Sequence, residues 1–262
     1  MSEPTDRIAE ATRRLAAAGR DKAPCAPVRE LIGRDDTDAA YAVQQRTEAA
    51  AAESGRVVVG RKIGLTSLAV QAQLGVDQPD YGTLFADTGF SNGSEIPVEQ
   101  FLQPRIEAEV ALALSRDMDH ANPSVDDILD ALDWAAPALE IVDSRIANWD
   151  ISLADTIADN ASYGGHVIGP RLRNAKHVDF SALSMEMDLN GAVVSSGTGS
   201  DCMGSPIIAA AWLAATLYDL GMPIRAGQIV LTGALGSMVP VKEQQQIIAR
   251  IEGLGEVSCQ FR

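Results

Sequence analysis

The sequence predicts an α+β protein: a small, mainly helical N-terminal lobe (residues 1–80) followed by a curved or rolled mixed β-sheet domain (residues 81–262). Three observations carry this expectation. The first third is alanine-rich and amphipathic, whereas short apolar runs of strand length dominate after residue 82. Those runs do not alternate regularly with helices, as a parallel βαβ fold would require. Asn190-Gly191 lies between two of them, and that dipeptide is a strong hairpin signal.

The elements follow in order. Residues 4–18 have helical amphipathic spacing, and Asp36-Thr37 caps a second helix that runs to Ser54, with Gly55 as its stop. Arg56 to Gly64 is a β-branched run ended by glycine and reads as a strand. Thr66-Ser67 opens a short helix ending near Gly75. Strands are expected at 106–114, 137–143, 165–168, 183–189, 192–196, 228–233 and 246–251, and helices at 124–133, 151–158 and 206–220.

Composition narrows the function. The 262 residues are 46% hydrophobic and 22% charged, ordinary globular usage. The net charge of −15 argues against nucleic acid, which is bound through clustered Lys and Arg. A small anionic substrate would need local positive charge, for which Lys62, Arg61, Arg105 and a metal ion are the candidates. Met1 to Gly19 lacks an apolar h-region and no run reaches membrane-span length, so a soluble, cytoplasmic protein without membrane partners is expected.

Several familiar chemistries are missing. Cys25, Cys202 and Cys259 are odd in number and widely spaced, and the histidines 120, 166 and 177 lack HExxH spacing. There is no GxSxG elbow and no phosphate loop. Gly197-Thr198-Gly199-Ser200 does not continue as GxGxxG, because Cys202 stands where a glycine is required.

The carboxylates remain. In Ile106 to Leu114 strand alternation puts Glu107 and Glu109 on one face, with Ile106, Val110, Leu112 and Leu114 on the other. A solvated acidic face is one reading of that pair; a divalent cation relieving carboxylate repulsion is the other. Glu140 sits in a second apolar run, Pro137 to Asp143. Three glutamates without sulfur or imidazole suit Mg²⁺ or Mn²⁺, and leave positions for an α-keto acid to chelate. On local evidence Lys62 is a lysine at a strand end, Asp80 a turn aspartate, and Asp159-Asn160-Ala161-Ser162 a helix end.

Read together, Gly60-Arg61-Lys62-Ile63-Gly64-Leu65-Thr66, Gly75 to Leu84, Gln103 to Glu109, Glu140 to Arg145, Ala158 to Ser162 and Leu231 to Gly236 resemble the 2-keto-4-pentenoate hydratase family, of the fumarylacetoacetase-related superfamily. The resemblance implies a sheet domain of the fumarylacetoacetase C-terminal type. It also implies a divalent-metal enzyme of aromatic meta-cleavage catabolism that converts 2-hydroxy-2,4-dienoates into 4-hydroxy-2-oxo acids. By matching position, Glu107, Glu109 and Glu140 would bind Mg²⁺ or Mn²⁺, and Lys62 and Asp80 would transfer protons or position water. Ser162 would hold the substrate carboxylate, with Leu65 and Arg105 also at the substrate. A ring-like homo-oligomer, pentamer or decamer, is implied, and a complex with a pathway decarboxylase or aldolase is a further expectation. The alternatives are a sister 4-oxalocrotonate-type decarboxylase and a non-catalytic partner subunit. Lys242 to Gln246 departs from the Gly-Asp turn more usual in relatives, which leaves the shape of that hairpin open.

Overall fold

The computed structural model describes residues 4–67, 71, 76 and 78–262. The short helix expected from Thr66 to Gly75 lies largely outside the described residues.

Among the described residues three helices form the lobe: α1 (Pro4–Asp21), α2 (Arg29–Ile32) and α3 (Thr37–Glu53). Asp36 caps α3 by accepting the Ala39 N–H, and Ser54 is its C-cap, as the sequence predicts. Two helices follow within the sheet region, α4 (Val125–Ala131) and α5 (Leu153–Ala158), each opened by a serine–aspartate capping box. The last is α6 (Pro206–Asp219). The lobe core, which includes Leu15, Val28, Ile32 and Val43, packs on Ile157 and Ala158 of α5. Asp155 ties the two parts by accepting the Val28 and Arg29 N–H groups and pairing with the Arg29 guanidinium at 2.7 Å.

The strands form two mixed sheets. The larger is built on β1 (Val58–Gly64), β2 (Asp80–Phe85), β3 (Gly89–Phe90), β5 (Arg105–Leu114), β6 (Leu132–Val142), β7 (Tyr163–Ile168) and β11 (Ile229–Ala234), in the order β2-β1-β11-β5-β6-β7-β3. The short strands β8 (Leu172–Arg173) and β12 (Val239–Pro240) pair with β6 and β5. The second sheet has the order β10-β9-β13-β14-β4, with β4 (Glu95–Ile96), β9 (Ser184–Leu189), β10 (Ala192–Thr198), β13 (Gln245–Ile251) and β14 (Gly255–Phe261). β1 pairs parallel with β11 and antiparallel with β2, so the strand expected in the N-terminal lobe is part of the large sheet. We propose that the lobe proper is the three helices and that the catalytic part begins at β1.

The rolled mixed sheet is therefore present, and the Asn190-Gly191 turn joins β9 to β10 with φ of 51° and 83°, the left-handed pair that suits a two-residue hairpin. Pro137 stands within a central strand, β6. Its carbonyl accepts the Gly169 N–H, and its N–H-less nitrogen faces that same side, in the gap between β7 and β8, where no ladder donor is required. β5 is buried on both faces. Ile106, Val110, Leu112 and Leu114 join the main core under α6, while Ala111 and Ala113 face a second cluster with Leu84, Trp134 and Leu231. Among the described residues no helix is long and apolar enough to cross a membrane.

Candidate active site

Strand alternation continues the Ala111/Ala113 face of β5 to Glu109 and Glu107. β6 pairs antiparallel with β5 and places Glu140 directly opposite Glu107. One oxygen from each of the three glutamates lies within 4.8 Å of the others. Like charges opposed across a ladder are destabilising, and these are buried: Glu109 and Glu140 are 0% exposed. Glu109 Oε2 accepts the Gly233 N–H at 2.9 Å, yet among the described residues Glu109 Oε1 and Glu140 Oε2 have no hydrogen-bond partner and Glu140 Oε1 has only an ion pair with Lys62 Nζ at 3.0 Å. Burial and the neighbouring glutamates push the Glu109 carboxyl well up, and burial raises Glu140 to about 7 against the pull of Lys62. Carboxylate oxygens that converge within ligand distance and outnumber the donors near them fit a hard divalent cation such as Mg²⁺ or Mn²⁺.

Lys62 comes from β1, with Leu231 of β11 as its register partner, and so faces the same side of the sheet. It is 3% exposed. Its Nζ donates to the Ala161 carbonyl at 3.0 Å and lies 3.0 Å from Glu140 Oε1 as an ion pair. Burial opposes its charge, but Glu140, Asp80, Glu107 and Glu109 together outweigh burial and raise its pKa. Asp80, on β2 opposite Gly64, is 1% exposed, and neither carboxylate oxygen has a hydrogen-bond partner among the described residues. Burial raises its pKa, partly offset by Lys62. Gly64 makes this arrangement possible, since a Cβ there would lie 2.1 Å from Asp80 Oδ1 and 3.3 Å from Lys62 Nζ. Gly64→Ala is expected to displace Asp80 and lower kcat on the order of 100-fold while the fold persists. Circular dichroism and steady-state rates on one preparation check this.

Asn160, Ala161 and Ser162 are three successive non-glycine residues with φ of 56°, 50° and 53°. Left-handed conformation costs roughly 1–2 kcal/mol per residue, so the surrounding structure holds this turn. It aims the Ala161 carbonyl at Lys62 and puts the buried Ser162 hydroxyl 3.3 Å from Thr156 Oγ1. Leu65, also left-handed at φ 58°, follows the end of β1.

A cavity of about 370 Å³ opens here, lined by Lys62, Leu65, Asp80, Glu107 and Ser162 together with apolar Val142, Trp149, Ile151 and Met238. Arg105 is not among its lining residues. Its guanidinium stacks 4.4 Å from the centre of the Trp149 ring, so it meets the cavity only through that wall. Arg61, also considered for substrate charge, points to the opposite face of β1, where it binds Glu48 at 2.8 Å and Thr83. Sequence reasoning missed Thr156, Trp149 and the left-handed turn. Only the asparagine, which tolerates that conformation, hinted at the last.

His166, opposite Glu140 on β7, is 4% exposed and its pKa is lowered by burial to about 4. Thr88 Oγ1 donates to the Phe85 carbonyl, so the Tyr163 hydroxyl donates to Thr88 and His166 Nδ1–H donates to Tyr163 at 2.6 Å. The folded state thus resists a proton that the unfolded chain accepts near pH 6.5. Stability from this group is complete above pH 6.5 and declines as pH falls toward 4, by up to about 3 kcal/mol. Denaturant titrations of wild type and His166→Gln between pH 7.5 and 4.5 check this, the variant being expected to lose less stability on acidification.

A metal-ready carboxylate trio beside a buried lysine, on a curled mixed sheet, defines a class. Residues 57–262 match the family model described as fumarylacetoacetate (FAA) hydrolase C-terminal. Among curated proteins, the chain is 51% identical over 247 residues to 2-keto-4-pentenoate hydratase 2 of Dechloromonas aromatica (strain RCB), covering 94% of each chain. It is 48% identical over 257 residues to the TodF product hydratase of Pseudomonas putida F1, covering 98% of this chain and 96% of that one. The chain belongs to the 2-keto-4-pentenoate hydratase family. Among solved structures, 4-oxalocrotonate decarboxylase from Pseudomonas putida G7, complexed with magnesium and adipate, superposes with a TM-score of 0.94 at 30% identity, covering 100% of this chain and 99% of that one.

Proposed function

We propose that the protein is a divalent-metal hydro-lyase that adds water to 2-hydroxy-2,4-dienoates of the 2-oxopent-4-enoate type, giving 4-hydroxy-2-oxo acids in aromatic meta-cleavage catabolism. The observation that carries this reading is the converging trio Glu107, Glu109 and Glu140, the last two fully buried and the first lining a cavity, with Lys62 on the same sheet face. The three glutamates would hold Mg²⁺ or Mn²⁺, which when bound supplies Lewis-acid polarisation of a 2-oxo group. Ser162, on the cavity wall, receives the substrate carboxylate, with Leu65 beside it and Arg105 contributing positive charge behind Trp149. Lys62 and Asp80 act as a pair: they carry the 2-hydroxyl proton to C5, which gives the α,β-unsaturated 2-oxo acid. Water then adds its oxygen at C4, and the same pair delivers the proton to C3. The sum is one water gained, with no covalent intermediate and no redox change.

The second reading is a 4-oxalocrotonate-type decarboxylase, favoured by the likeness to the solved decarboxylase. The cavity argues against it. Among the described residues Lys62 is the one cation in the lining, and residues 66–79 contain no Lys or Arg. A second substrate carboxylate would find no further cation there, only neutral hydroxyls such as Ser196 and Ser237, the apolar wall and the like charge of Asp201. A non-catalytic partner subunit is disfavoured because Lys62 and all three glutamates are present. A cytoplasmic homo-oligomer, pentamer or decamer, that docks a pathway decarboxylase or aldolase completes the proposal; equilibrium sedimentation tests the assembly.

The deciding experiment follows the ultraviolet absorbance of 2-hydroxypenta-2,4-dienoate with enzyme, with and without EDTA, and identifies the product by mass. Metal-dependent loss of the dienol with a product one water heavier supports the hydratase. Release of CO₂ from an oxohexenedioate, with no hydration, reverses the choice.

A further inference from the structure

We infer that Asn160 is a positioning residue of this site, acting on Lys62 and Ser162 by clamping the left-handed turn onto the edge of the sheet. β2 is the outer strand beside β1, so main-chain groups on its far side lack a neighbouring strand. Asn160 supplies one. Its Oδ1 accepts the Thr83 N–H at 2.8 Å and its Nδ2 donates to the Thr83 carbonyl at 3.0 Å, so the amide occupies both main-chain groups of one residue. The anchor is itself fixed, because Thr83 Oγ1 binds Glu48 Oε2 at 2.7 Å and also meets Arg61.

The turn lies tight against β2. A Cβ on Gly82 would come within 2.6 Å of the Asn160 carbonyl oxygen, so glycine is required there for the approach. Gln44 ties β2 to α5, the helix that leads into the turn, donating through Nε2 to the carbonyls of Tyr81 and Ile157 at 2.8 and 3.1 Å. With Asn160 held, the next residue presents its carbonyl to Lys62 Nζ at 3.0 Å and the one after lines the cavity with its hydroxyl. Asparagine meets both demands of the position: it tolerates positive φ, and its amide offers a donor and an acceptor. Aspartate keeps the acceptor alone, and glycine keeps only the backbone conformation.

The inference rests on the reading above, in which Lys62 and Ser162 serve the reaction. The test compares wild type with Asn160→Gly and Asn160→Asp, and adds Gly82→Ala, which presses on the same contact from β2. For Asn160→Gly we expect kcat to fall about tenfold or more and KM to rise severalfold, since a displacement near 1 Å suffices for such losses. Mn²⁺ affinity should hold within about threefold, because the glutamates sit on β5 and β6 and not on the turn. Asn160→Asp should recover part of kcat, and Gly82→Ala should reproduce the Asn160→Gly pattern. A crystal structure of Asn160→Gly should show Lys62 Nζ released from the Ala161 carbonyl. Asn160→Gly with a lowered Tm but wild-type kcat, wild-type KM and an intact Lys62 contact would overturn the inference and leave Asn160 a stability residue only. If wild type itself hydrates no dienoate, the functional reading fails, and the crystallographic contact still decides the positioning.

Discussion

Glu140→Gln is expected to weaken Mg²⁺ or Mn²⁺ binding by on the order of 100-fold or more and to remove most turnover, while the metal-free protein melts no lower than wild type. The two halves of this expectation have one cause. Glu140 is 0% exposed and faces two other glutamates with only the Lys62 ammonium, 3.0 Å from Oε1, to offset its charge, so that charge stays costly until a divalent cation arrives. Its folded pKa, raised to about 7, lies above the ordinary carboxyl value. A raised carboxyl pKa contributes stability below the unfolded value, which is then lost as pH climbs from about 4.3 through 7. Glutamine carries no such penalty at neutral pH, so the variant trades metal for stability. Calorimetric Mn²⁺ titration and metal-free melting at pH 7.5 check both halves. An unchanged metal titration removes Glu140 from the ligand set.

Lys62→Met is expected to lower kcat by roughly 10²–10⁴-fold, the range lost when a positioned proton-transfer group is deleted, while metal binding is retained or tightened. Lys62 is the cation among four carboxylates, Glu107, Glu109, Glu140 and Asp80, whose charges raise its pKa against burial. Its ammonium lies 3.0 Å from Glu140 Oε1 and so competes with a metal for the same oxygen. Removing it relieves that competition. It also leaves the metal-free cluster without a counter-charge, so the variant should take up protons and respond more strongly to added Mn²⁺ in melting experiments. Methionine fills the space of the lysine stem, which separates loss of charge from loss of packing. Turnover within tenfold of wild type, measured by the dienol absorbance, would exclude Lys62 from proton transfer.

Much of the sheet is legible in the amino-acid sequence. β5, β9 and β11, the helix α6 and the hairpin at Asn190-Gly191 fall within a residue or two of their expected places, because apolar periodicity and turn chemistry are local signals. β2 and β14 were not anticipated. Asp80 to Phe85 reads locally as a turn because Pro79 and Gly82 flank the aspartate, and pairing with β1 across a long connection makes it a strand. The C-terminal strand Gly255–Phe261 follows a turn so closely that only its partner β13 reveals it. Lys242 to Gln244 forms a compact turn, with Gln244 at φ 64°, and Gln245 and Gln246 already belong to β13.

The site divides in the same way. Alternation alone set Glu107 and Glu109 on one face of a strand, and the residue types marked a hard cation. Nothing local could say whether that face met water or was closed over, and both readings were open. The fold decides it: β6 brings Glu140 opposite Glu107, and β11 and β1 bring Lys62 to the same side. Arg61 and Arg105 show the limit of reading charge from the chain. The first points away to Glu48 and the second lies behind Trp149, because side-chain direction is set by register and by which neighbours a strand acquires. Residue order along each strand sets which groups are available and which of them share a face. Which of them are buried together follows from the pairing of strands far apart in the chain, and the pKa shifts and unpaired oxygens follow from that burial.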